Sequence, residues 1–288
     1  PPTTSGHGPG GGAPGFAAAK TLPIRVEVRR QLGRRRTQTA LGFLVLLPFL
    51  LVGAFKLGSK DSRRGAPGLV DLATTGASNF TLFTLFAASG FLLVVIVALF
   101  AGDAVASEAS WSSLRYLLAL PIPRSRLLRQ KLIVALGYGA FALVLLPAVA
   151  FIVGGAFFGW APAQSPLGAV MSTSESLVRL AVIVVYIGVT MLFVASLAFC
   201  LSVWTDAPLA AVGGAVLLVV VSNILDQVTA LGSLRNALPT HFGYAWTDAL
   251  GPTISWDNMG QGTVWVFVYS TLLLVAAWFH FLRKDIVS

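Results

Sequence analysis

The chain has 288 residues, of which 56% are hydrophobic and 11% charged, and its formal net charge is +9. A soluble domain carries about one quarter charged residues, so this composition excludes a cytosolic enzyme, a disordered protein and a secreted disulfide scaffold. A single cysteine, Cys200, excludes an internal disulfide and a multi-cysteine metal cluster. The composition therefore indicates an integral membrane protein, and a chain this apolar is a poor candidate for binding nucleic acid.

The N-terminal region divides into a tail and a short basic helix. Residues 1–20 are a flexible, low-complexity tail rich in Gly and Pro. Residues 21–36 predict a helix in which Ile24, Val28 and Leu32 share one face and arginines fill the others. This pattern predicts an amphipathic helix in the headgroup layer of a membrane. The alternative is a positively charged anchor for the first span, with no further role.

The remaining segment, residues 37–288, predicts an all-α transmembrane domain. A helix needs about 20 mostly apolar residues to cross a bilayer. Six stretches qualify, with the first and fifth needing a flanking turn: Thr39–Phe55, Phe80–Ala101, Leu132–Phe158, Leu177–Val203, Leu209–Leu225 and Val264–Leu282. We expect the two prolines inside spans, Pro48 and Pro147, to kink their helices.

The basic residues predict the orientation of these six spans. With an even number of spans, both termini lie on one side of the membrane. Fourteen Lys and Arg residues fall on that side and six on the other. Basic residues concentrate on the cytoplasmic side, so both termini are expected in the cytoplasm.

Two loops have distinctive sequences. Residues 204–208 predict a tight cytoplasmic turn between the fourth and fifth spans. The long external loop, Asp226–Thr263, contains two tryptophans and two proline breaks. Tryptophan rings prefer the membrane–water interface, so we expect short helices there with Trp246 and Trp256 at the outer surface.

At the outer end of the fourth span, Glu175 and Arg179 are one helical turn apart and are expected to pair.

The cytoplasmic segment 102–131 is the most informative part of the sequence. Asp103 or Ser107 can cap a helix that ends near Leu120, because Pro121 and Pro123 disfavour helical conformation before them. Its two faces separate by chemistry: Trp111, Leu114, Leu117 and Leu118 on one side, and Glu108, Ser112 and Arg115 on the other. Such a helix either docks on a soluble partner or lies on lipid phosphates, and the residues alone leave both open.

The run from Asp103 to Lys131 resembles the permease subunits of bacterial ATP-binding cassette exporters of the second type. The resemblance rests on Glu108, on Leu114-Arg115, on the turn Leu117-Leu118-Ala119-Leu120-Pro121, and on Arg124 and Lys131. It extends to the order of elements: an interfacial N-terminal helix, six spans and a long last external loop. One departure is Ser112-Ser113, where the family often has Gly-Thr.

The resemblance implies a specific set of partners. Two permease chains, either two copies or two related chains, would form the translocation path in the bacterial cytoplasmic membrane, and each would dock on an ATPase subunit that binds ATP and Mg²⁺. This chain itself would bind no cofactor, and residues 21–36 would be the connecting helix. The residues expected at the ATPase-coupling interface are Glu108, Trp111, Ser112, Leu114, Arg115, Leu118, Pro121 and Arg124.

The chain lacks the sequence features of an enzyme. None of its five lysines follows a glycine, so it has no phosphate-binding loop and ATP hydrolysis is expected from the partner. Its three histidines are scattered without metal-ligand spacing. The alternative function is a secondary carrier or channel that works without an ATPase. Such proteins usually keep ionisable groups within the membrane for ion coupling, and the predicted spans have no Asp or Glu near their middle.

The translocation path is marked only by polar residues in the second and fifth spans. The candidates are Thr81, Thr84, Ser89, Ser222, Asn223 and Asp226. The alternative role of these side chains is hydrogen bonding between helices. A path with so few charges would suit an amphiphilic or apolar cargo.

Overall fold

The computed structural model describes residues 24–58, 69–110, 124–164 and 171–283. These residues form helices joined by turns, with no β-strand among them, which confirms the all-α prediction for this part of the chain. The α-helices are α1 Ile24–Leu32, α2 Arg35–Gly58, α3 Leu69–Ala73, α4 Ala77–Ser89, α5 Leu92–Ser110, α6 Arg124–Phe158, α7 Thr173–Trp204, α8 Pro208–Asp226 and α9 Asp257–Arg283. Two 3₁₀ helices, Thr229–Ala237 and Ala245–Leu250, lie between α8 and α9.

Five of these helices, α2, α6, α7, α8 and α9, are long and apolar enough to cross a membrane. Each contains one predicted span and extends beyond it; α6, for example, has 35 residues. Pro48 and Pro147 both lie inside helices. Large apolar side chains such as Leu209 (84% exposed) and Val185 (67% exposed) cover the outside of the bundle. This distribution is that of a multi-pass membrane protein, whose outer surface faces lipid.

The predicted second span is two helices rather than one. α4 and α5 are separated at Gly90 and Phe91, and their axes differ by 57°. The stretch Phe80–Ala101, predicted as one span, is therefore bent at Gly90 and Phe91. α5 also continues to Ser110, so Asp103 and Ser107 lie inside it and do not cap a new helix.

The bent pair α4–α5 runs antiparallel to α6. At one end the Ala77 amide donates a hydrogen bond to the Gly159 carbonyl (2.8 Å). Further along, the rings of Phe100 and Tyr138 are 5.5 Å apart. At the other end, the Glu108 carboxylate pairs with the Lys131 ammonium. The pair therefore follows α6 over most of its length, with contacts at both ends and in between.

Helix α7 is the centre of the bundle and packs against α5, α6, α8 and α9. Its side chains Ile183 and Val203 are fully buried. The Ser202 hydroxyl oxygen accepts hydrogen bonds from the amides of Val105 (3.0 Å) and Ala106 (2.9 Å) in α5. α7 thus holds α5 in place just before the Glu108 end of that helix. The turn predicted at residues 204–208 is present, since α7 ends at Trp204 and α8 begins at Pro208.

The segment between α8 and α9, residues 227–256, folds back onto the bundle. Trp246 is 1% exposed within the core, so the prediction that it lies at the interface is wrong, whereas Trp256 is 57% exposed. Arg179 donates hydrogen bonds to the carbonyls of Ala249 (2.8 Å) and Pro252 (3.1 Å). It also pairs with Glu175 (2.7 Å), as predicted from their spacing.

Candidate functional site: the ionic cluster of α1, α5 and α6

Charged side chains gather where α1 and the start of α2 meet the end of α5 and the start of α6. We call this group the ionic cluster; its members are Glu27, Arg30, Arg34, Arg36, Asp103, Glu108 and Lys131. Three carboxylates face four basic groups. Burying a single charge is costly, so side chains at such a position are paired.

The innermost part of the ionic cluster is a chain of acid–base contacts. Glu108 pairs with both Lys131 and Arg30, and the side chains of Glu108 and Lys131 are 2% and 4% exposed. The Lys131 ammonium also pairs with Glu27, with 2.9 Å between Nζ and Oε1. Arg30 completes the ring by pairing with Glu27 at 2.9 Å. Lys131 thus contacts both α1 and α5 from α6.

The outer part of the ionic cluster is centred on Asp103. Its carboxylate pairs with Arg34 and with Arg36, the latter at 3.1 Å. Arg34 also donates to the Ser107 hydroxyl (3.0 Å), which in turn donates to the Asp103 carbonyl (2.6 Å). These bonds explain why a polar Ser and Asp can occupy the interior of an apolar helix.

Helix α1 turns its polar side toward the protein. Gln31 is buried, at 5% exposure, and Glu27 points at Lys131. The Tyr138 hydroxyl donates a hydrogen bond to the Val28 carbonyl (2.7 Å), which fixes the helix along α6. The apolar residues face outward, with Leu32 49% exposed. An outward face with these apolar side chains fits the predicted interfacial helix, because it can lie against lipid.

The ionisation of Glu27 follows from its neighbours. Burial of the carboxyl group favours its neutral form, but Lys131 and then Arg30 favour the ionised form. Together they hold the pKa of Glu27 below its ordinary value. Glu27 is therefore a carboxylate at neutral pH.

The structure places Glu108 but not the other residues predicted at the coupling interface. Trp111, Ser112, Leu114, Arg115, Leu118 and Pro121 lie outside the described residues, and of Arg124 only the backbone is described. Glu108 faces the protein interior, which differs from the position expected of a residue that contacts a partner. Glu108 lies two residues before the end of α5 and pairs with Lys131 of α6. It therefore joins the two helices on either side of segment 111–123.

Of the predicted path residues, Ser89 and Asn223 share one site. They line a small cavity of about 50 Å³ at the bend between α4 and α5. Thr190 of α7 and Thr240 of the 227–256 segment also line it. The cavity is large enough to hold water.

The other predicted path residues are held by neighbouring groups. Thr81 and Thr84 are fully buried and donate to carbonyls of their own helix at 2.8 Å. Ser222 bonds Thr240 (2.7 Å between hydroxyl oxygens), and Asp226 pairs with His241. These contacts do not bring the six residues into one site. Within the described ranges, no three His, Cys, Asp or Glu side chains lie close enough to hold a metal ion.

Most of the ionic cluster was not identified from the sequence. Lys131 was counted for orientation and as part of the resemblance, the N-terminal arginines were counted for orientation, and Asp103 was one of two candidate helix caps, with Ser107. The available signal was the presence of Asp103, Glu108 and Lys131 near the ends of apolar helices, where unpaired charges are unfavourable. Their partners were not predictable, because Glu27 is 104 residues from Lys131.

The comparison with curated proteins finds no match to this chain. A protein family does match it, over residues 70–287. That range contains α4 to α9 and, of the ionic cluster, Asp103, Glu108 and Lys131. Because the match covers well over half of the chain, the protein belongs to the family described as "protein of unknown function (DUF2705)".

Proposed function

We propose that this chain is the permease subunit of a bacterial ATP-binding cassette transporter, and that it exports its cargo with energy from a separate ATPase subunit. The proposal rests on the resemblance of residues 103–131 to such permeases. One structural observation supports it above others: the ionic cluster joins α1 to both helices that bound segment 111–123. A partner can move the rest of the protein through this segment only if both ends of the segment are attached to the rest of the protein.

The ionic cluster provides a mechanism for transmitting that force. The ATPase docks on segment 111–123, and closure of its nucleotide sites displaces the ends of α5 and α6. Because Lys131 pairs with Glu108 and Glu27, α5, α6 and α1 move as one body. Glu108 acts in this link rather than by touching the ATPase, and Arg115 and Leu114 make the contacts with the partner.

Motion of α5 reaches the proposed path through the bend at Gly90. The cavity at this bend is lined by α5, α7 and α8, so a change in the angle between α4 and α5 changes its width. Ser89 and Asn223 give it polar groups without charge. A path of this kind suits an amphiphilic or apolar cargo, formed between this chain and a second permease chain.

The path of α4 and α5 along α6 supports six spans over five. A re-entrant loop returns to the side where it began, whereas the α4–α5 pair contacts the two opposite ends of α6, at Gly159 and Lys131. These contacts support a single bent span. With six spans, the distribution of basic residues puts both termini, α1 and the ionic cluster in the cytoplasm. The membrane is the bacterial cytoplasmic membrane.

The first experiment is purification of the tagged full chain from the bacterium that encodes it, in a mild detergent, with identification of its partners by mass spectrometry. We expect an ATPase subunit with a phosphate-binding loop to co-purify. Leu114→Asp should remove the ATPase, because it places a charge in the apolar docking face. Glu175→Gln, at the opposite end of the bundle, is the matched control and should retain it.

The second experiment measures ATP hydrolysis by the reconstituted complex. Glu108→Gln should retain the bound ATPase but uncouple it, so that the rate of hydrolysis no longer depends on the permease. Absence of any ATPase from the purified complex, together with ion-gradient-driven uptake by the chain alone, would instead establish a secondary carrier.

A further inference from the structure

The outward face of α1 combines positive charge with apolar side chains. Each residue of a helix advances about 100° around the axis, so Arg25 and Arg29 are about 40° apart and lie opposite Glu27. Glu27 faces Lys131, which directs the two arginines away from the protein. Both arginines are exposed.

Apolar side chains flank these arginines. Ile24, Val28 and Leu32 are 43%, 38% and 49% exposed. They form a stripe along the helix beside Arg25 and Arg29. A face of this kind is unfavourable in water alone, because it exposes a continuous row of aliphatic side chains next to strongly hydrated groups.

The two arginines have no acidic partner within the described part of the chain. The ion pairs there join Glu27, Asp103 and Glu108 to other basic groups. The only acidic residue of α1, Glu27, is turned inward. The outward face therefore carries positive charge alone and fits a negatively charged ligand.

The position of α1 indicates which negative ligand lies there. Glu27 and Val28 are bound to Lys131 and Tyr138 of α6, so α1 lies beside the first turns of a helix that can cross the membrane. Aliphatic side chains at that level contact acyl chains, and arginines beside them reach lipid phosphates. Zwitterionic lipids add a cationic group near each phosphate, whereas anionic lipids offer the negative charge alone.

We propose that the outward face of α1 is a binding site for an anionic phospholipid. Arg25 and Arg29 bind the headgroup, and Ile24, Val28 and Leu32 contact the part of the acyl chains nearest to the headgroup. The site is independent of the proposed ATPase partner, because it needs only α1 and its attachment to α6. It selects lipids by headgroup charge.

The test places a fluorescent label next to the site and measures which lipid surrounds it. In a Cys200→Ala background, Val26→Cys on the same outward side is labelled with bimane, and the full chain is reconstituted into phosphatidylcholine vesicles with one-fifth phosphatidylglycerol. In one preparation the phosphatidylglycerol carries brominated acyl chains, which quench the label on contact. In the other, an equal amount of phosphatidylcholine is brominated instead.

We expect quenching by brominated phosphatidylglycerol to indicate at least about fivefold local enrichment, the effect of about 1 kcal/mol from one of the two arginines near the surface. The double substitution Arg25→Gln/Arg29→Gln should bring the two lipids to equal quenching. Arg129→Gln/Arg283→Gln removes the same charge from two other exposed positions and should leave the enrichment intact.

Three results would overturn the proposal. Equal quenching by both lipids in the parent protein would show that the site does not select charge. Enrichment that survives Arg25→Gln/Arg29→Gln would show that it comes from the net charge of the protein. A label that neither lipid quenches would show that α1 faces water or the acidic surface of a protein partner. Transport and ATP hydrolysis enter none of these measurements, so failure here leaves the proposed function standing.

Discussion

Glu108 and Lys131 form a buried ion pair across the two ends of segment 111–123. Their side chains are 2% and 4% exposed, and they belong to α5 and α6. Removing one partner of such a pair leaves the other charge buried and poorly compensated, whereas removing both leaves neither. The free energies of unfolding of the single and double variants therefore distinguish an interacting pair from two independent residues.

The first prediction is a double-mutant cycle on this pair. Glu108→Gln and Lys131→Met should each lower the free energy of unfolding by about 3 kcal/mol, because each leaves a buried charge with one of its two ion-pair partners missing. The double variant should lose clearly less than the sum of the two. Unfolding in mixed detergent micelles, followed by circular dichroism, measures the three differences.

The matched control for this cycle is Glu175→Gln. Glu175 also pairs with a buried base, Arg179, but its own side chain is 46% exposed. Its replacement should therefore change the free energy of unfolding by less than about 1 kcal/mol. Additive effects of Glu108→Gln and Lys131→Met would contradict a direct interaction between them.

The second prediction concerns the pH dependence due to Glu27. Its neighbours lower its pKa in the folded protein below the ordinary value of 4.5. The ionised carboxylate therefore contributes stability that is fully present above pH 4.5 and is lost as the pH falls through the lowered value. The stability difference between the parent protein and Glu27→Gln should be constant at neutral pH and shrink under acid conditions.

The stability difference between the parent protein and Glu27→Gln must shrink at low pH, because protonated Glu27 and Gln are both neutral. Comparing the two proteins at each pH cancels the effects of the groups that both proteins contain. The measurement is the midpoint of thermal unfolding from pH 3 to pH 7. A difference that grows as the pH falls would contradict the assigned ion pairs.

The spans could be predicted from the sequence because each helix must be compatible with lipid on its own. A spanning segment satisfies its own backbone and presents apolar side chains outward, so its signal is local and continuous. That is why all five candidate spans contain predicted ones. The sequence pattern indicates the break at Gly90 only weakly, because one glycine in an apolar run is equally compatible with a continuous helix.

The ionic cluster was beyond prediction because it depends on which helix ends meet in space. Arg36 and Asp103 are 67 residues apart, and Lys131 and Glu27 are 104 residues apart. Trp246 illustrates the same difficulty. Its indole ring fits a membrane interface or a protein core, and only the packing of the 227–256 segment onto α7 decides for the core.

The third prediction tests how α7 holds α5. Ser202→Ala should lower the free energy of unfolding by about 1 to 3 kcal/mol, because the Val105 and Ala106 amides lose the oxygen that accepts their hydrogen bonds. The control is Ser270→Ala. The Ser270 hydroxyl is buried and has no hydrogen-bond partner within the described structure, so its removal should be neutral or stabilising.

This pair of serine variants separates a hydrogen bond from a change of volume. Both remove one oxygen from a buried position, since Ser202 is 1% and Ser270 7% exposed. Equal losses of stability in the two variants would mean that packing, not the bonds to α5, accounts for the effect of Ser202. The measurement is the same micelle unfolding experiment used for the ion pair.

The last prediction uses two glycines of α9. A Cβ added to Gly262 would overlap the Tyr186 hydroxyl and lie 2.6 Å from Cβ of Phe242, whereas nothing lies within 4 Å of one added to Gly260. The Tyr186 hydroxyl donates to the Phe242 carbonyl (2.8 Å), and this bond holds the 227–256 segment against α7. Gly262→Ala should therefore cost about 2 kcal/mol by overpacking and weaken that bond.

Gly260→Ala should instead be neutral or stabilising by up to about 1 kcal/mol, because alanine favours the helix and meets no neighbour. Limited trypsin digestion reports on the segment directly, through cleavage after Arg235. Gly262→Ala should accelerate this cleavage and Gly260→Ala should not. If both variants cleave at the parent rate while only Gly262→Ala loses stability, the clash is confined to the helices and the bond to Phe242 does not hold the segment in place.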